Sequence, residues 1–141
     1  MDTSVPCSGY DKVGGLLYFA RMLDKIRLHA RGELRADFHA NLGKAADGWC
    51  TGFLGIEYEA LKERALENGT DEEILEWCYT HGRRLKEVEV MIWNQFIGKL
   101  GWNDFASQRL IALKEQSGLA HRDDIQTMMH YFDADEGRIP K

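Results

Sequence analysis

The stretch TDEEILEWCYTHG, residues 70–82, gives the clearest indication of the fold. Thr70 followed three residues later by Glu73 is the capping-box pattern, in which the threonine hydroxyl accepts a hydrogen bond from the Glu73 amide and the glutamate reaches back. Ile74 and Cys78 then recur at helical spacing. A glycine ends the stretch, where a helix C-terminal cap is typical. The stretch therefore predicts an amphipathic helix with a defined start and end.

Similar patterns lie on both sides of this helix. Apolar residues spaced three and four apart predict further helices over residues 11–31, 57–68, 86–100, 103–117 and 123–135. We expect Asn103 to cap one of them, and Asp123 and Asp124 to lie in the first turn of the last, at the positive end of its dipole. The expected core stripe of the fourth helix is Leu85, Val88, Ile92 and Phe96.

The first predicted helix has two contrasting faces. Its expected core stripe is Leu16, Phe19, Leu23, Ile26 and Ala30. Its expected outer face carries charged residues, among them Arg21, Asp24, Lys25, Arg27 and His29. Asp24 is three residues from both Arg21 and Arg27, so it is expected to pair with one of them.

No segment shows the strict alternation or the β-branched enrichment of a strand. The sequence therefore predicts an all-α fold, a single compact domain of about five or six helices over residues 1–141. Residues 1–10 and 137–141 are expected to be flexible ends.

Residues 32–55, GELRADFHANLGKAADGWCTGFLG, separate the first two predicted helices. Irregular connections longer than roughly 12–15 residues are usually functional or disordered. This one contains too many aromatic and aliphatic residues to be disordered. We therefore expect one long, Gly-rich, ordered loop with a functional role.

Composition limits the function classes. The net charge of −5 disfavours non-specific nucleic-acid binding. The longest apolar run is far shorter than the ~20 residues that cross a bilayer, and no secretory signal is visible. The three cysteines lack metal-site spacing, and reduced thiols are the simplest interpretation. A soluble cytoplasmic protein, with neither nucleic acid nor membrane as partner, is expected.

Standard catalytic motifs are not found: there is no dinucleotide-binding glycine pattern, no phosphate loop, no HExxH and no nucleophile elbow. Gly43-Lys44 resembles part of a phosphate loop, but Ala45 stands where Ser or Thr binds magnesium. A glycine-lysine turn can still offer amides and an ammonium group to an anion.

A candidate ligand site joins the first helix to the 32–55 segment. If this segment folds back over the outer helix face, its polar residues and an aromatic side chain form a mixed-charge cleft. The predicted ligand-binding residues are Asp24, Arg27, His39, Lys44, Asp47 and Trp49. The alternative is that these charged groups are simply solvated.

The other histidine and aromatic residues favour structural roles. The five histidines never form a close metal-ligand pair, so no metal site is predicted. Trp93 and Phe96 fit core packing, whereas Trp49, between Gly48 and Cys50, is the tryptophan most suited to face a ligand.

Several segments together resemble a bacterial family of small proteins, domain of unknown function 5069. They are YDKVGGLLYFARMLDKIRLHARGEL, NLGK, TDEEILEWC, WNQF, GW and HRDDIQT, between residues 9 and 138. The resemblance implies a compact, stand-alone bacterial domain. It implies no catalytic residue, cofactor or substrate.

Three functional hypotheses follow. The first is a small-molecule or anion-binding helical domain that uses the cleft. The second is an enzyme with Asp24 or His39 as general base in the same cleft. The third is a protein–protein interaction module or homodimer that uses an apolar surface, for which the Met128-Met129 pair is one candidate and plain core packing its alternative.

Overall fold

The computed structural model describes residues 4–140 and is mostly helical, which confirms the predicted fold class. Within these residues there are eight helices, slightly more than expected, and one two-stranded sheet. The parts of the predicted flexible ends at residues 1–3 and 141 lie outside the described residues.

The strands and helices follow one another with short connections. The strands are β1 (Lys12–Val13) and β2 (Leu16–Leu17), and a 3-10 helix spans Ala36–Asn41. The α-helices are α1 (Phe19–Ala30), α2 (Ala46–Leu54), α3 (Tyr58–Ala65), α4 (Asp71–His81), α5 (Glu87–Gly98), α6 (Ser107–Gln116) and α7 (Met128–Asp135).

The start of the first predicted helix is a hairpin instead. β1 and β2 pair antiparallel, with Val13 opposite Leu16. Gly14 and Gly15 form the turn with φ of 56° and 81°, which two-residue hairpin turns require and glycine adopts without a side-chain clash. Helix α1 therefore begins at Phe19 and not at residue 11. The hairpin was missed because the run after the glycines is too short to reveal a strand by alternation.

The outer face of α1 was predicted incorrectly at two positions. Arg21 is 1% exposed and Lys25 is 6% exposed, so these two cations lie inside the protein. Asp24 pairs with neither predicted arginine but accepts a hydrogen bond from the Cys7 amide at 2.8 Å. Charged residues on a helix are usually solvated. Here, parts of the chain that are distant in sequence cover this face and bury the two cations.

The 32–55 segment is ordered, but it is not a single irregular loop. It contains the 3-10 helix and all of α2, which buries Asp47, Cys50 and Leu54. The glycines that indicated a loop stand inside or next to these helices, where tertiary contacts override their low helix propensity.

The later helices confirm some predicted features and correct others. The capping box of Thr70 and Glu73 is present at the start of α4. Helix α6 starts later than predicted, and Asp104, not Asn103, accepts the nearby amide hydrogen bonds. Thr127 caps α7, so Asp123 and Asp124 precede that helix.

The apolar stripe predicted for α5 does not coincide with the face of the helix that is buried in the core. Val88 is 53% exposed and Ile92 is 52% exposed, whereas Trp93 and Ile97 are buried. The Trp93 indole donates a hydrogen bond to the Leu17 carbonyl at 2.9 Å. Helix α5 therefore packs on the hairpin through its tryptophan side.

The hydrophobic core has α1 at its centre. Phe19, Met22 and Leu23 are 0% exposed and belong to one core cluster that also contains apolar residues of the hairpin and of α2 to α7. Met128 and Met129 belong to the same core, so they do not offer an adaptable surface. The remaining face of α1, which carries Arg21 and Lys25, points toward a cavity.

Candidate functional site

A cavity of about 730 Å³ lies beside α1. The 3-10 helix, the start of α2, α6 and α7 complete its walls. Its volume falls within the ~300–1,000 Å³ typical of small-molecule sites. Buried polar residues of α1 are among those that line it.

Three side chains form a hydrogen-bonded triangle at the base of this cavity. The Tyr18 hydroxyl donates to Asp47 Oδ1 at 2.7 Å. Lys25 Nζ lies 2.9 Å from the same oxygen and donates to the Tyr18 hydroxyl at 3.2 Å. The Gly43 amide holds the other carboxylate oxygen of Asp47 at 3.0 Å. We call these three residues the Tyr18–Lys25–Asp47 triangle.

Burial changes the acid–base properties of this triangle. Desolvation lowers the pKa of Lys25, and the nearby Asp47 carboxylate opposes that change. Burial and the Asp47 carboxylate together raise the pKa of Tyr18 well above its ordinary value. The tyrosine is therefore a neutral phenol at physiological pH, placed between an amine and a carboxylate.

Strained backbone lies at the same place. Tyr18 has φ of 76° and Ala45 has φ of 51°, a region that residues with a Cβ rarely adopt. Both line the cavity. Such strain costs of order 1–3 kcal/mol and concentrates at functional sites. The surrounding packing thus holds the Tyr18 side chain in an orientation that a relaxed backbone would not give it.

Arg21 forms a second buried ion pair on the cavity wall. Its guanidinium binds Glu136 through two hydrogen bonds of 2.9 and 2.6 Å, and donates to the Cys7 carbonyl. The same group lies 4.6 Å from the ring centroid of Phe132, within range of a cation–π interaction. This pair joins α1 to the end of α7.

Arg35 connects the 3-10 helix to α7 at another wall. It donates to Asp37 at 2.6 and 2.8 Å and to Asp135 at 2.8 Å. These hydrogen bonds raise the pKa of Arg35 and lower that of Asp37. The wall is therefore fixed by charge-assisted hydrogen bonds and not by apolar packing alone.

The lining of the cavity has an excess of positive charge. Its cations are Arg21, Lys25, Arg35, Lys44 and Arg109, and its carboxylates are Asp37 and Asp135. The first three cations are already in ion pairs, with Glu136, Asp47 and the two lining carboxylates respectively. No salt bridge within residues 4–140 involves Lys44 or Arg109. Both are exposed, so they are free to attract an anion toward the cavity although the whole chain is acidic.

Aromatic side chains supply much of the apolar lining. Trp49, 37% exposed, packs edge-on against Phe105 with ring centroids 5.3 Å apart and against Phe96 at 5.8 Å. Phe38 and Phe132 face the cavity from other walls. The lining therefore combines exposed cations with apolar side chains.

The predicted ligand-binding residues are only partly brought together. Lys44 and Trp49 line the cavity. Asp47 does not line it but contacts Tyr18 and Lys25, which do. Their role in ligand binding stays a prediction.

The other three predicted residues make separate contacts. Asp24 binds the Cys7 amide, and Arg27 forms an ion pair with Asp71 at 2.6 Å. His39 Nε2 lies 2.9 Å from the Leu34 carbonyl oxygen, and its ring packs against His29. None of the three is among the residues that line the cavity within the described chain.

Sequence reasoning did not select Tyr18, Arg21, Arg35 or Arg109. The sequence did contain one signal for Tyr18 and Arg21. Together with Lys25 they are spaced three and four apart, so the three residues share one helix face. The partners that bury this face, Asp47 and Glu136, are distant in sequence, and spacing along one helix does not reveal them.

No group of three or more His, Cys, Asp or Glu residues in the part of the chain that the structure describes could hold a metal ion. Among residues 4–140, no helix has the length and apolar character needed to cross a membrane.

Comparison with known proteins places this chain in a family. The chain belongs to the family described as Domain of unknown function (DUF5069), whose match covers residues 3–138. A search of curated proteins found no match. The resemblance seen in the sequence is thus confirmed, and the cavity is the feature from which a function must be argued.

Proposed function

We propose that this protein binds a small organic anion with an apolar or aromatic body in the cavity beside α1. The observation that carries the proposal is the excess of cations around a cavity of about 730 Å³ whose base contains strained Tyr18. Stability alone does not account for this arrangement, since buried ion pairs contribute little net stability and backbone strain reduces it.

The proposed ligand enters past the exposed cations. Lys44 and Arg109 attract and hold its anionic group, since hydrogen bonds to charged groups are worth about 1.5–3 kcal/mol each. Trp49 and Phe132 contact its apolar body. Tyr18 and Lys25, the two members of the Tyr18–Lys25–Asp47 triangle that line the cavity, contact the ligand from the α1 side.

Thermal shift and isothermal titration with small aromatic carboxylates and phosphates test the proposal. We expect at least one compound to raise the melting temperature saturably, and the double variant Lys44→Ala/Arg109→Ala to bind it at least about tenfold more weakly. The matched control is Lys62→Ala/Lys99→Ala, which removes the same charge away from the cavity. Equal affinity for both double variants would contradict the proposal.

A second candidate function is self-association through α5. Val88, Met91 and Ile92 are each about half exposed and recur at spacings of three and four, so they form one apolar helix face. Light scattering across a concentration series, with Met91→Glu as the disrupting variant, tests this candidate. A wild-type protein that stays monomeric would exclude it.

Cytoplasmic location and the lack of nucleic-acid binding stay predictions. The net charge of −5 supports the lack of nucleic-acid binding, because an acidic protein is repelled by the phosphate backbone. Catalysis by Asp24 or His39 is not proposed, because the contacts that hold their side chains lie outside the cavity lining. Any chemistry in this protein is better sought at the base of the cavity.

A further inference from the structure

We propose that Lys25 forms a covalent imine with the carbonyl carbon of an oxo acid bound in the cavity. This inference rests on the proposed function, because it assigns a ligand class and a reaction to the same cavity. Four observations carry it: a desolvated amine, a proton acceptor beside it, a phenol hydroxyl that contacts both, and space for a ligand.

The amine of Lys25 is protected from water but reaches the cavity. Its side chain is 7% exposed and is part of the cavity lining. Arg21 lies one helical turn earlier on the same face. Burial lowers the pKa of Lys25 although the Asp47 carboxylate opposes the change, and the neighbouring Arg21 cation adds to the lowering. Desolvation and a nearby cation are the two usual means by which proteins make a lysine nucleophilic.

Asp47 is placed to take the proton that the amine must lose. Its Oδ1 atom lies 2.9 Å from Lys25 Nζ, and its side chain is fully buried. Transfer of a proton across this distance converts a buried ion pair into a neutral pair, which a site of low polarity favours. The Gly43 amide keeps the carboxylate in position through Oδ2.

Tyr18 completes the proton path to the ligand. Its hydroxyl contacts both Asp47 Oδ1 and Lys25 Nζ, and Tyr18 is among the residues that line the cavity, whereas Asp47 is not. A proton received by Asp47 can therefore reach a bound ligand through the Tyr18 hydroxyl. The left-handed backbone at Tyr18 holds the phenol in that position.

The reaction balances without any additional reactant. Asp47 takes one proton from the Lys25 ammonium, and the free electron pair on Nζ attacks the carbonyl carbon while the carbonyl π pair moves to oxygen. The nitrogen of this adduct passes a second proton to that oxygen. Tyr18 then gives its proton to the same oxygen and is reprotonated by Asp47. The carbon–oxygen bond breaks, water leaves, and a cationic imine with one N–H remains.

The lining selects the ligand class. A carboxylate beside the carbonyl group matches Lys44 and Arg109, the two lining cations that form no salt bridge within residues 4–140. An aromatic or aliphatic tail matches Trp49 and Phe132. A simple aldehyde without an anionic group would not use these cations, so an oxo acid fits better than a neutral carbonyl compound.

Reductive trapping tests the inference on the wild-type protein. Phenylpyruvate is the probe, since it carries a carboxylate, a ketone and an aromatic ring, and sodium cyanoborohydride reduces an imine to a stable amine. We expect the protein mass to rise by that of phenylpyruvic acid less one oxygen atom. Peptide mapping should place the adduct on Lys25. Trapping at exposed lysines with no preference for Lys25 would overturn the inference.

Two substitutions examine the roles of individual groups. Lys25→Arg keeps a cation beside Asp47 but cannot form an imine, so we expect no adduct at position 25. Tyr18→Phe keeps the ring but removes the hydroxyl, and we expect the trapping rate to fall about 100-fold, the scale of one acid–base group. Circular dichroism verifies folding of both variants. An unchanged rate in folded Tyr18→Phe would overturn the role of Tyr18 in proton transfer.

A non-reactive analogue separates this inference from the proposed function. Phenyllactate has a hydroxyl in place of the ketone, so it binds the cavity but forms no imine. If phenyllactate and phenylpyruvate both stabilise the protein and no Lys25 adduct is trapped, the imine is excluded and anion binding stands. If neither compound stabilises the protein and no adduct forms, the inference fails and the proposed function loses this ligand class. A Lys25 adduct supports both.

Discussion

Lys25 Nζ lies 2.9 Å from Asp47 Oδ1, and this ion pair joins α1 to α2 directly beneath the cavity. The two side chains are 7% and 0% exposed, so water hydrates neither charge effectively. Each charge therefore depends on the other and on Tyr18 for its solvation. The pair links the stability of the fold to the chemistry of the cavity.

Removing one partner of this pair should be costly. In Asp47→Asn the buried ammonium of Lys25 loses its counter-charge, and we expect the free energy of unfolding to fall by about 3–5 kcal/mol. Replacing both charges, in Lys25→Met/Asp47→Leu, should restore part of that loss because no buried charge is left unpaired. Urea denaturation of the wild type, of the single variants Lys25→Met and Asp47→Leu, and of the double variant measures the coupling. A double variant less stable than both single variants would contradict this interpretation.

The core around α1 provides a second prediction. Phe19 is 0% exposed, so Phe19→Ala should lower the free energy of unfolding by roughly 3–5 kcal/mol through lost burial and an unfilled cavity. Leu66→Ala, at a residue 48% exposed, is the control and should cost far less. Chemical denaturation measures both. A cost below about 1 kcal/mol for Phe19→Ala would mean that this helix face does not lie in the core.

The capping box of α4 gives a local test. The Thr70 hydroxyl accepts from the Glu73 amide at 3.1 Å, and the Glu73 carboxylate accepts from the Thr70 amide at 2.8 Å. Thr70→Ala should reduce stability by about 1 kcal/mol, because a helix-end amide loses its acceptor. Thr70→Ser keeps the hydroxyl and should stay close to the wild type. If serine and alanine are equally destabilising, the hydroxyl is not the stabilising group.

Buried thiols should make the protein less stable in alkaline solution. Burial raises the pKa of Cys78 from 9.0 to about 12. Below pH 9 the thiol is protonated in both states. Between pH 9 and 12 only the unfolded chain loses the proton, so the free energy of unfolding falls by up to about 1.4 kcal/mol per pH unit for this one group.

The slope of stability against pH isolates that contribution. Cys78→Ala should flatten the slope above pH 9, even though the loss of buried volume lowers stability at every pH. Leu75→Ala, which also removes buried volume but no titrating group, should leave the slope unchanged. Urea denaturation at several pH values between 8 and 11 provides the comparison. If the stability of Cys78→Ala depends on pH as steeply as that of the wild type, the Cys78 thiol does not titrate differently in the folded and unfolded states.

Local features of the fold were readable from the sequence. The capping box of α4 needs only residues three apart, and the helices that follow it show apolar residues at helical spacing. The hairpin was missed because its strands contain two residues each, and the apolar run from Leu16 to Phe19 joins smoothly to the pattern of α1. The stripe of α5 was misplaced because Val88 and Ile92 fit helical spacing as well as Trp93 and Ile97 do.

The candidate site was predictable only in part. Lys44 and Trp49 drew attention because they lie on a Gly-rich segment, and both line the cavity. Arg21 and Lys25 were assigned to the solvent because charged helix faces are usually exposed. Their burial depends on Glu136 and Asp47, which are brought near only by the complete chain, so no local pattern distinguished these cations from solvated ones.

An NMR titration of the tryptophan indole N–H groups tests directly whether the cavity binds small organic anions. Trp49 lines the cavity, whereas Trp102 is 52% exposed and lies away from its lining, so the second is an internal control. With small aromatic carboxylates and phosphates, we predict a saturable shift of the Trp49 signal and a constant Trp102 signal. In Lys44→Ala/Arg109→Ala, the Trp49 shift should need at least about tenfold more compound. If no compound shifts Trp49, or if both signals move together, the cavity is not an organic-anion site.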